Sequence, residues 1–456
     1  MGKYDAYGEI ELNDKTLSKR VEKTLEQLSS DPTASISKAC NDPHQAKGVY
    51  RLLSNEKFTA EAVHEISKQE TITRIRESGV QVILIPQDTT AIDYYGLKNT
   101  TGLGNIGPGE NSRGLMMHSA IAVGEDGRIF GLLKEKIWSR PAETKGDRKT
   151  LPIEEKESYK WLETLRDAQL PDDLGGVHAI HLCDREGDLY ELYARASVEG
   201  ATYLCRRVQN RKIQSENGNE KYLDLFISNL PVNGILEVEI PRDSHTKREA
   251  RHAQLEIKFG KAQLKKPANS RKTDTLPDSI GVNVISAKEI NPQENVKEPI
   301  SWQLITNDSV ESFDDAVLCV SRYTQRWKIE TFHYTLKSGC AIEKLQENTA
   351  EKLIKLIALY SVIALGIMTV TFLARTNPDI SCEEEFSTEE WKILYKIAKK
   401  TKDVPENPPT IYEAVIMIAK LGGFLARKSD GFPGVTVIWR GLIKFFTIVE
   451  AVPYIV

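Results

Sequence analysis

Residues 177–208 read VHAIHLCDREGDLYELYARASVEGATYLCRRV. VHAIHLCD predicts a strand, GDLYELYARASV a helix and ATYLCRRV a second strand. Strand, helix and strand in so short a span predict a parallel crossover. Moving outward, VQVILIP at 80–86 is almost wholly apolar, the pattern of a strand buried on both faces. GLMMHSAIAV and RIFGLLKEKIW, joined by the turn GEDG, predict a hairpin, and EEKESYKWLETLRDAQ predicts a helix. The resulting order, β-β-β-α-β-α-β, belongs to the α/β class, with a hairpin leading into parallel crossovers.

The flanks differ in character. Residues 13–70 read as short helices: NDKTLSKRVEKTLEQLSSDP starts at Asn13 or Asp14 as N-cap and stops before Pro32. PHQAKGVYRLLSN forms a second helix. With Lys15, Lys19, Arg20 and Lys23 on the first helix, a solvated face and a small DNA-binding module are both open readings. Residues 209–300 carry charge, turn clusters and alternating runs such as GILEVEIP and AQLEIKFG, an inserted β-subdomain. After SWQLITND the chain turns helical to its end. The expected division is 1–70, 71–372 with the insertion inside it, and 373–456.

Leu356–Ala374, LIALYSVIALGIMTVTFLA, is uncharged over 19 residues, a borderline length for spanning a bilayer. Ser361, Gly366, Thr369 and Thr371 within it, and the lack of a second such run, point to a buried core helix instead. The N-terminal MGKYDAYGEIELND has no apolar signal-peptide run, and its Met-Gly start lacks the Ser or Thr that myristoylation needs. The six cysteines include no C-x-x-C pair, so reduced thiols in a cytoplasmic protein are expected.

The formal net charge is −4 over 456 residues, which excludes a uniformly basic nucleic-acid coat. It hides an asymmetry. Between Arg206 and Lys272 there are 15 Lys and Arg against 8 Asp and Glu, a net of +7, which leaves −11 for the rest.

Three acidic residues stand where site chemistry is expected. Asp88 in PQDTTAIDYYG and Asp184 in CDREGD each follow an apolar strand, and in open α/β sheets sites form beyond the strands' carboxyl ends. Two such carboxylates suit a hard cation; capping or turn initiation is the plainer job for each alone. The third is Glu330, in SRYTQRWKIETFHYTLKSG at 321–339. At about 100° per residue, Tyr323, Arg326, Trp327, Glu330, Tyr334 and Lys337 share an arc of roughly 100° on one helix. A salt-bridged surface stripe is the alternative. Carboxylates that hold two divalent ions about 3.5–4 Å apart, with Arg and Lys to oppose phosphate charge, make a phosphoryl-transfer site.

Asp88 in QDTT, Asp184 in CDREGD, and Tyr323, Arg326, Glu330 and Lys337 in a Y-(2)-R-(3)-E-(6)-K spacing together resemble the DDE transposases of the insertion-sequence-four family, most closely the transposon-five branch. The resemblance implies a ribonuclease-H-like mixed sheet flanked by helices and interrupted by a β-insertion, an N-terminal DNA-end-binding domain and a C-terminal helical dimerisation region. It implies that Asp88, Asp184 and Glu330 ligate two Mg²⁺, for which Mn²⁺ could substitute. Tyr323, Arg326 and Lys337 would hold phosphates. Trp302 would stack on an extruded base, with core packing as the alternative. Arg206, Arg211, Arg20 and Arg51 match DNA-contacting positions. The implied activity is cut-and-paste transposition through a hairpin intermediate. Its partners are transposon-end DNA, target DNA and a second copy of the chain, with no membrane. A metal-dependent nuclease without strand transfer and an inactive end-binding regulator are the rival readings. The chain departs from the family in a shorter start ahead of LNDKTLSKRV and in having no methionine between Met1 and Met116.

Overall fold

The structure is a computed structural model, and it describes residues 4–452 apart from 11, 13, 41, 110–111, 142–150, 215–220, 241–248, 269, 271–274, 294–295, 297 and 428–429. The chain opens with helices α1 (Asp5–Gly8), α2 (Lys15–Ser30), α3 (Ile36–Ala39), α4 (Pro43–Leu53) and α5 (Ala60–Ser78). Strands β1 (Val82–Asp93), β2 (Gly104–Asn105), β3 (Arg113–Gly124) and β4 (Ile129–Trp138) follow. Then α6 (Tyr159–Asp167), β5 (His178–Cys183), α7 (Tyr190–Glu199) and β6 (Thr202–Arg206) alternate. Next come β7 (Ile213–Gln214), α8 (Leu223–Asn229), β8 (Gly234–Ile240), β9 (Arg251–Lys265), β10 (Ser279–Ile290) and β11 (Ser301–Thr306). The remainder is helical: α9 (Phe313–Thr324), α10 (Trp327–Tyr334), α11 (Ala350–Thr376), α12 (Thr388–Lys399), α13 (Ile411–Leu421) and α14 (Val435–Ala451). With parallel and antiparallel pairings both present, this is a mixed α/β, multi-domain architecture.

Two compact units divide the chain: Met1–Val80, Thr89–Thr144 and Lys328–Val456 form one, Gln81–Asp88 and Lys145–Trp327 the other. In the second unit the opening of β1 pairs in parallel with β5, from Val82↔His178 to Pro86↔Leu182. β5 pairs in parallel with β6 up to Cys183↔Cys205, and α7 makes the crossover that the sequence predicts. Gly200 ends α7 at φ 65°, a left-handed C-terminal position that glycine adopts without Cβ strain. β6 then meets β11 antiparallel, and β10 and β9 continue the ladder. The strands of the 209–300 insertion continue the same sheet, with Ala287↔Trp302 joining β10 to β11. The alternating hydrophobics that marked it are the inward positions of β9, Ala253, Leu255 and Ile257 among them. Trp161, Tyr190, Tyr193, Tyr203 and Leu264 lie in its buried core.

The first unit is mainly helical. The side chain of Asp14 accepts the N–H groups of Thr16 (3.0 Å) and Leu17 (3.2 Å) and so caps α2; Asn13, the other expected cap, lies outside the described residues. Asp42 caps α4, whose first residue is Pro43. β3 and β4 form the expected hairpin, turned by Gly127 at φ 89°. The apolar helix predicted at 356–374 lies inside α11, which is long and apolar enough to cross a membrane but has 83% of its most apolar window buried in the protein. Around it pack α5, β4, α13 and α14. Glu135 of β4 is wholly buried there and accepts from Ser361 Oγ of α11 (2.9 Å), with His64 Nε2 of α5 at 2.9 Å and Ser119 Oγ of β3 at 3.4 Å.

Candidate active site

β1 does not stop at VQVILIP: it continues through Gln87, Asp88 and the β-branched Thr89 and Thr90 to Asp93. Asp88 is therefore within the strand and not beyond its end, where the sequence places it. The last registered pair of β1 and β5 is Pro86↔Leu182. Asp88 and Asp184 each stand two residues further on, so they reach one level on neighbouring strands, which lie about 4.7–4.9 Å apart. Period-two alternation returns both side chains to the face shared by Pro86 and Leu182. Gln87 takes the opposite face, where its Nε2 lies 3.0 Å from Nδ1 of the buried His181. Burial pushes the His181 imidazole down to about 4.

Asp184 follows β5 with extended dihedrals and caps the 3₁₀ turn Arg185–Gly187, its carboxylate accepting the Glu186 N–H at 2.8 Å. Its carbonyl accepts from the Cys205 thiol on β6 at 3.4 Å. The turn needs Gly187: a Cβ there would stand 2.7 Å from Cys183 Cβ and 3.1 Å from the Trp161 ring.

Cations gather at this edge. Arg326 Nη1 lies 3.8 Å from Asp88 Oδ2, with only 9% of the arginine side chain exposed. Arg206 donates to the Ser301 carbonyl at 3.2 Å. Burial holds the Arg206 guanidinium below the usual arginine range, Arg185 and Arg326 add to that, and Tyr323 and Asp184 oppose it. Burial likewise raises the Tyr323 hydroxyl, against the pull of Arg326 and Arg206. Trp302 on β11 packs edge-on against Tyr323 with ring centroids 5.5 Å apart.

The single continuous helix expected over 321–339 is broken. α9 ends at Thr324, and the N–H groups of Gln325 and Arg326 turn back to the carbonyls of Arg322 (3.0 Å) and Tyr323 (3.1 Å). These are i→i−3 bonds, which tighten a helix end. α10 then begins at Trp327, and Thr335–Gly339 winds as a π-helix. Tyr323 and Arg326 are buried, whereas Trp327 and Tyr334 are 54% and 49% exposed. Glu330 lies in the first turn of α10 and is partly exposed. Lys337, in the π-helix, donates to the Ala91 carbonyl at 2.5 Å and lies 3.6 Å from Glu343.

Of the other expected DNA contacts, Arg51 is exposed at the end of α4 and Arg20 half-buried on α2. Arg211 is turned inward, with a side chain 10% exposed and its Nη2 2.6 Å from Asp188 Oδ1. Burial works against its charge, and Asp188 more than compensates, so its pKa is raised. Asp188 is the second Asp of CDREGD, and the sequence gives no sign of the partners, Val208, Gln209 and Arg211, that set it apart in the fold.

Oxygen donors at a sheet edge are the right chemistry for a hard divalent cation, and Asp88 and Asp184 supply two at one level. Among the described residues no group of three or more His, Cys, Asp and Glu side chains is drawn together in a form able to hold a metal ion.

Residues 5–58, which span α1–α4, match the family described as "Transposase DNA-binding". Residues 362–456, from the middle of α11 onward, match "Transposase Tn5 dimerisation domain". Together they support a Tn5-like DNA transposase. They also support DNA as a partner and the formation of a dimer. Every predicted catalytic side chain lies between the two matched spans. A solved cryo-EM structure of a piggyBac transposase synaptic complex with hairpin DNA is similar at 10% identity over 96% of this chain and 73% of that one, with a TM-score of 0.36. That likeness is too loose to carry an argument.

Proposed function

We propose that the protein is a DDE transposase of the insertion-sequence-four type, cutting and joining DNA by phosphoryl transfer. Asp88, Asp184 and Glu330 would hold two Mg²⁺, or Mn²⁺ in their place. When bound, the ions would activate the attacking oxygen and stabilise the leaving one. Water attacks the phosphodiester at a transposon end and frees a 3′-hydroxyl. That hydroxyl attacks the opposite strand and closes a hairpin, water reopens it, and the 3′ ends then attack target DNA. Each step exchanges one P–O bond for another, so no covalent enzyme intermediate is needed.

Arg326 and Tyr323 would bind phosphate beside Asp88, with Lys337 a further phosphate ligand that must leave the Ala91 carbonyl. Trp302 would stack on the extruded base, Arg206 would contact the DNA backbone, and Arg20 and Arg51 would contact the transposon end. Two ends are cut by two copies of the chain, in the bacterial cytoplasm, and the core sheet would be ribonuclease-H-like. The observation that carries this reading is the pair of transposase matches flanking a sheet edge on which Asp88 and Asp184 stand level.

The test uses purified protein, MgCl₂ and a duplex carrying the sequence that flanks its gene. Strand-transfer products with a duplicated target site are expected, and their absence beside efficient cleavage favours a plain nuclease. Glu330→Ala is expected to lower cleavage by about 10²–10³-fold, a loss on the scale of one essential electrostatic group. Full activity of that variant sinks the mechanism.

A further inference from the structure

Asp188 is a buried carboxylate that the proposed chemistry does not use. It lies four residues after Asp184, across the Arg185–Gly187 turn, and its side chain has no exposure. Its Oδ2 accepts the N–H groups of Val208 and Gln209, both at 2.7 Å, where the chain leaves β6. Its Oδ1 accepts from Tyr193 Oη of α7 at 2.9 Å and from Arg211 Nη2 at 2.6 Å. Arg211 closes the loop by donating to the Asp188 carbonyl at 2.6 Å, its guanidinium 5.6 Å over the Tyr193 ring.

These bonds join the exit of β5, which carries Asp184, to the exit of β6, which carries Arg206. A buried charge is costly to keep unless fully paired, and here the pairing spans the two segments whose spacing matters to the site.

We propose that Asp188 and Arg211 form a positioning clamp that fixes Asp184 for metal binding, and that Arg211 does not contact DNA. The inference rests on the DDE reading for the role of Asp184. Groups that orient a metal ligand set its affinity, so the clamp should show in metal binding before it shows in DNA binding.

The experiment uses the full chain and three readouts. MnCl₂ binding is followed by titration calorimetry, cleavage of the gene-flanking duplex against MgCl₂ concentration, and affinity for that duplex without metal. Asp188→Asn and Arg211→Ala are each expected to weaken Mn²⁺ binding, and to raise the half-maximal Mg²⁺ concentration, at least about tenfold. Duplex affinity should stay within about twofold. The double variant should be no worse than the worse single one, as for residues that act as a unit. Arg211→Lys should recover part of the loss. Tyr193→Phe removes one hydroxyl and gives a milder shift of the same kind, which serves if Asp188→Asn does not fold. Unchanged metal dependence in these variants overturns the clamp, as does additivity, or weaker DNA binding by Arg211→Ala without a metal shift. A wild-type protein that binds Mn²⁺ but cuts no DNA defeats the transposase reading instead, and the clamp is then judged on Mn²⁺ affinity alone.

Discussion

At the residue scale, the edge that carries Asp88 is braced from behind by a histidine kept neutral. His181 is fully buried, and burial lowers its pKa from 6.5 to about 4. Between those values the unfolded chain takes up a proton that the folded chain refuses. The contribution of the neutral ring is therefore complete above pH 6.5 and falls away as the pH drops towards 4, by about 3 kcal/mol in all. Replacing His181 with Asn should lower stability near neutrality through lost packing and flatten the slope of unfolding free energy between pH 6.5 and 4. Urea titrations across that range measure it, and an unchanged slope would assign the acid sensitivity elsewhere. Asp88 and Asp184 were legible as candidates because each follows an apolar run, although β1 itself continues past Asp88 to Asp93. Gln87 against His181 and Asp188 against Arg211 were not. Those contacts join residues 94 and 23 positions apart, and only strand register and chain reversal bring them together. Arg211 shows the same limit: a basic side chain does not state in sequence which carboxylate it will meet, and only the fold brings it to Asp188.

At the element scale, periodicity recovered the crossover β5–α7–β6 and the hairpin β3–β4 because each has one buried face of regular period. It failed at 325–326, where no proline or glycine marks the break between α9 and α10. The break comes from backbone bonds that slip from i−4 to i−3, and such slips leave no compositional trace. The apolar α11 was read correctly as a core helix, yet its polar tie was hidden. Ser361 donates to Glu135, whose carboxylate also meets His64 and Ser119. Four elements thus share one buried acid. Ser361→Ala should cost about 1–3 kcal/mol, the usual penalty when a buried acceptor loses a donor. Glu135→Ala should cost about 3–5 kcal/mol, since it also strips His64 of its partner. Chemical denaturation of the two single variants and the double decides the point. If the acid is shared as described, the double variant loses less than the sum of the singles.

At the scale of the whole molecule, charge sets a problem that any DNA-binding reading must solve. The net charge is −4, and residues 5–58, the span matching a transposase DNA-binding family, hold 8 Lys and Arg against 9 Asp and Glu. Attraction to DNA then depends on where the charges face. Lys47 and Arg51 are four residues apart on α4 and both exposed, while Ala46, Val49, Leu52 and Leu53 of the same helix are buried; residues at that spacing share a face. Lys19 and Lys38, by contrast, lie 3.5 Å from Glu22 and 3.6 Å from Asp31. If Lys47 and Arg51 each neutralise one phosphate, each contributes about −0.9 to the slope of log affinity against log salt. Lys47→Ala with Arg51→Ala should therefore reduce the magnitude of that slope by about two and weaken binding to all duplex sequences alike. Fluorescence anisotropy over a range of NaCl concentrations measures the slope directly. An unchanged slope would move the phosphate contacts off α4, and loss of affinity for the end sequence alone would make the two residues readers of bases.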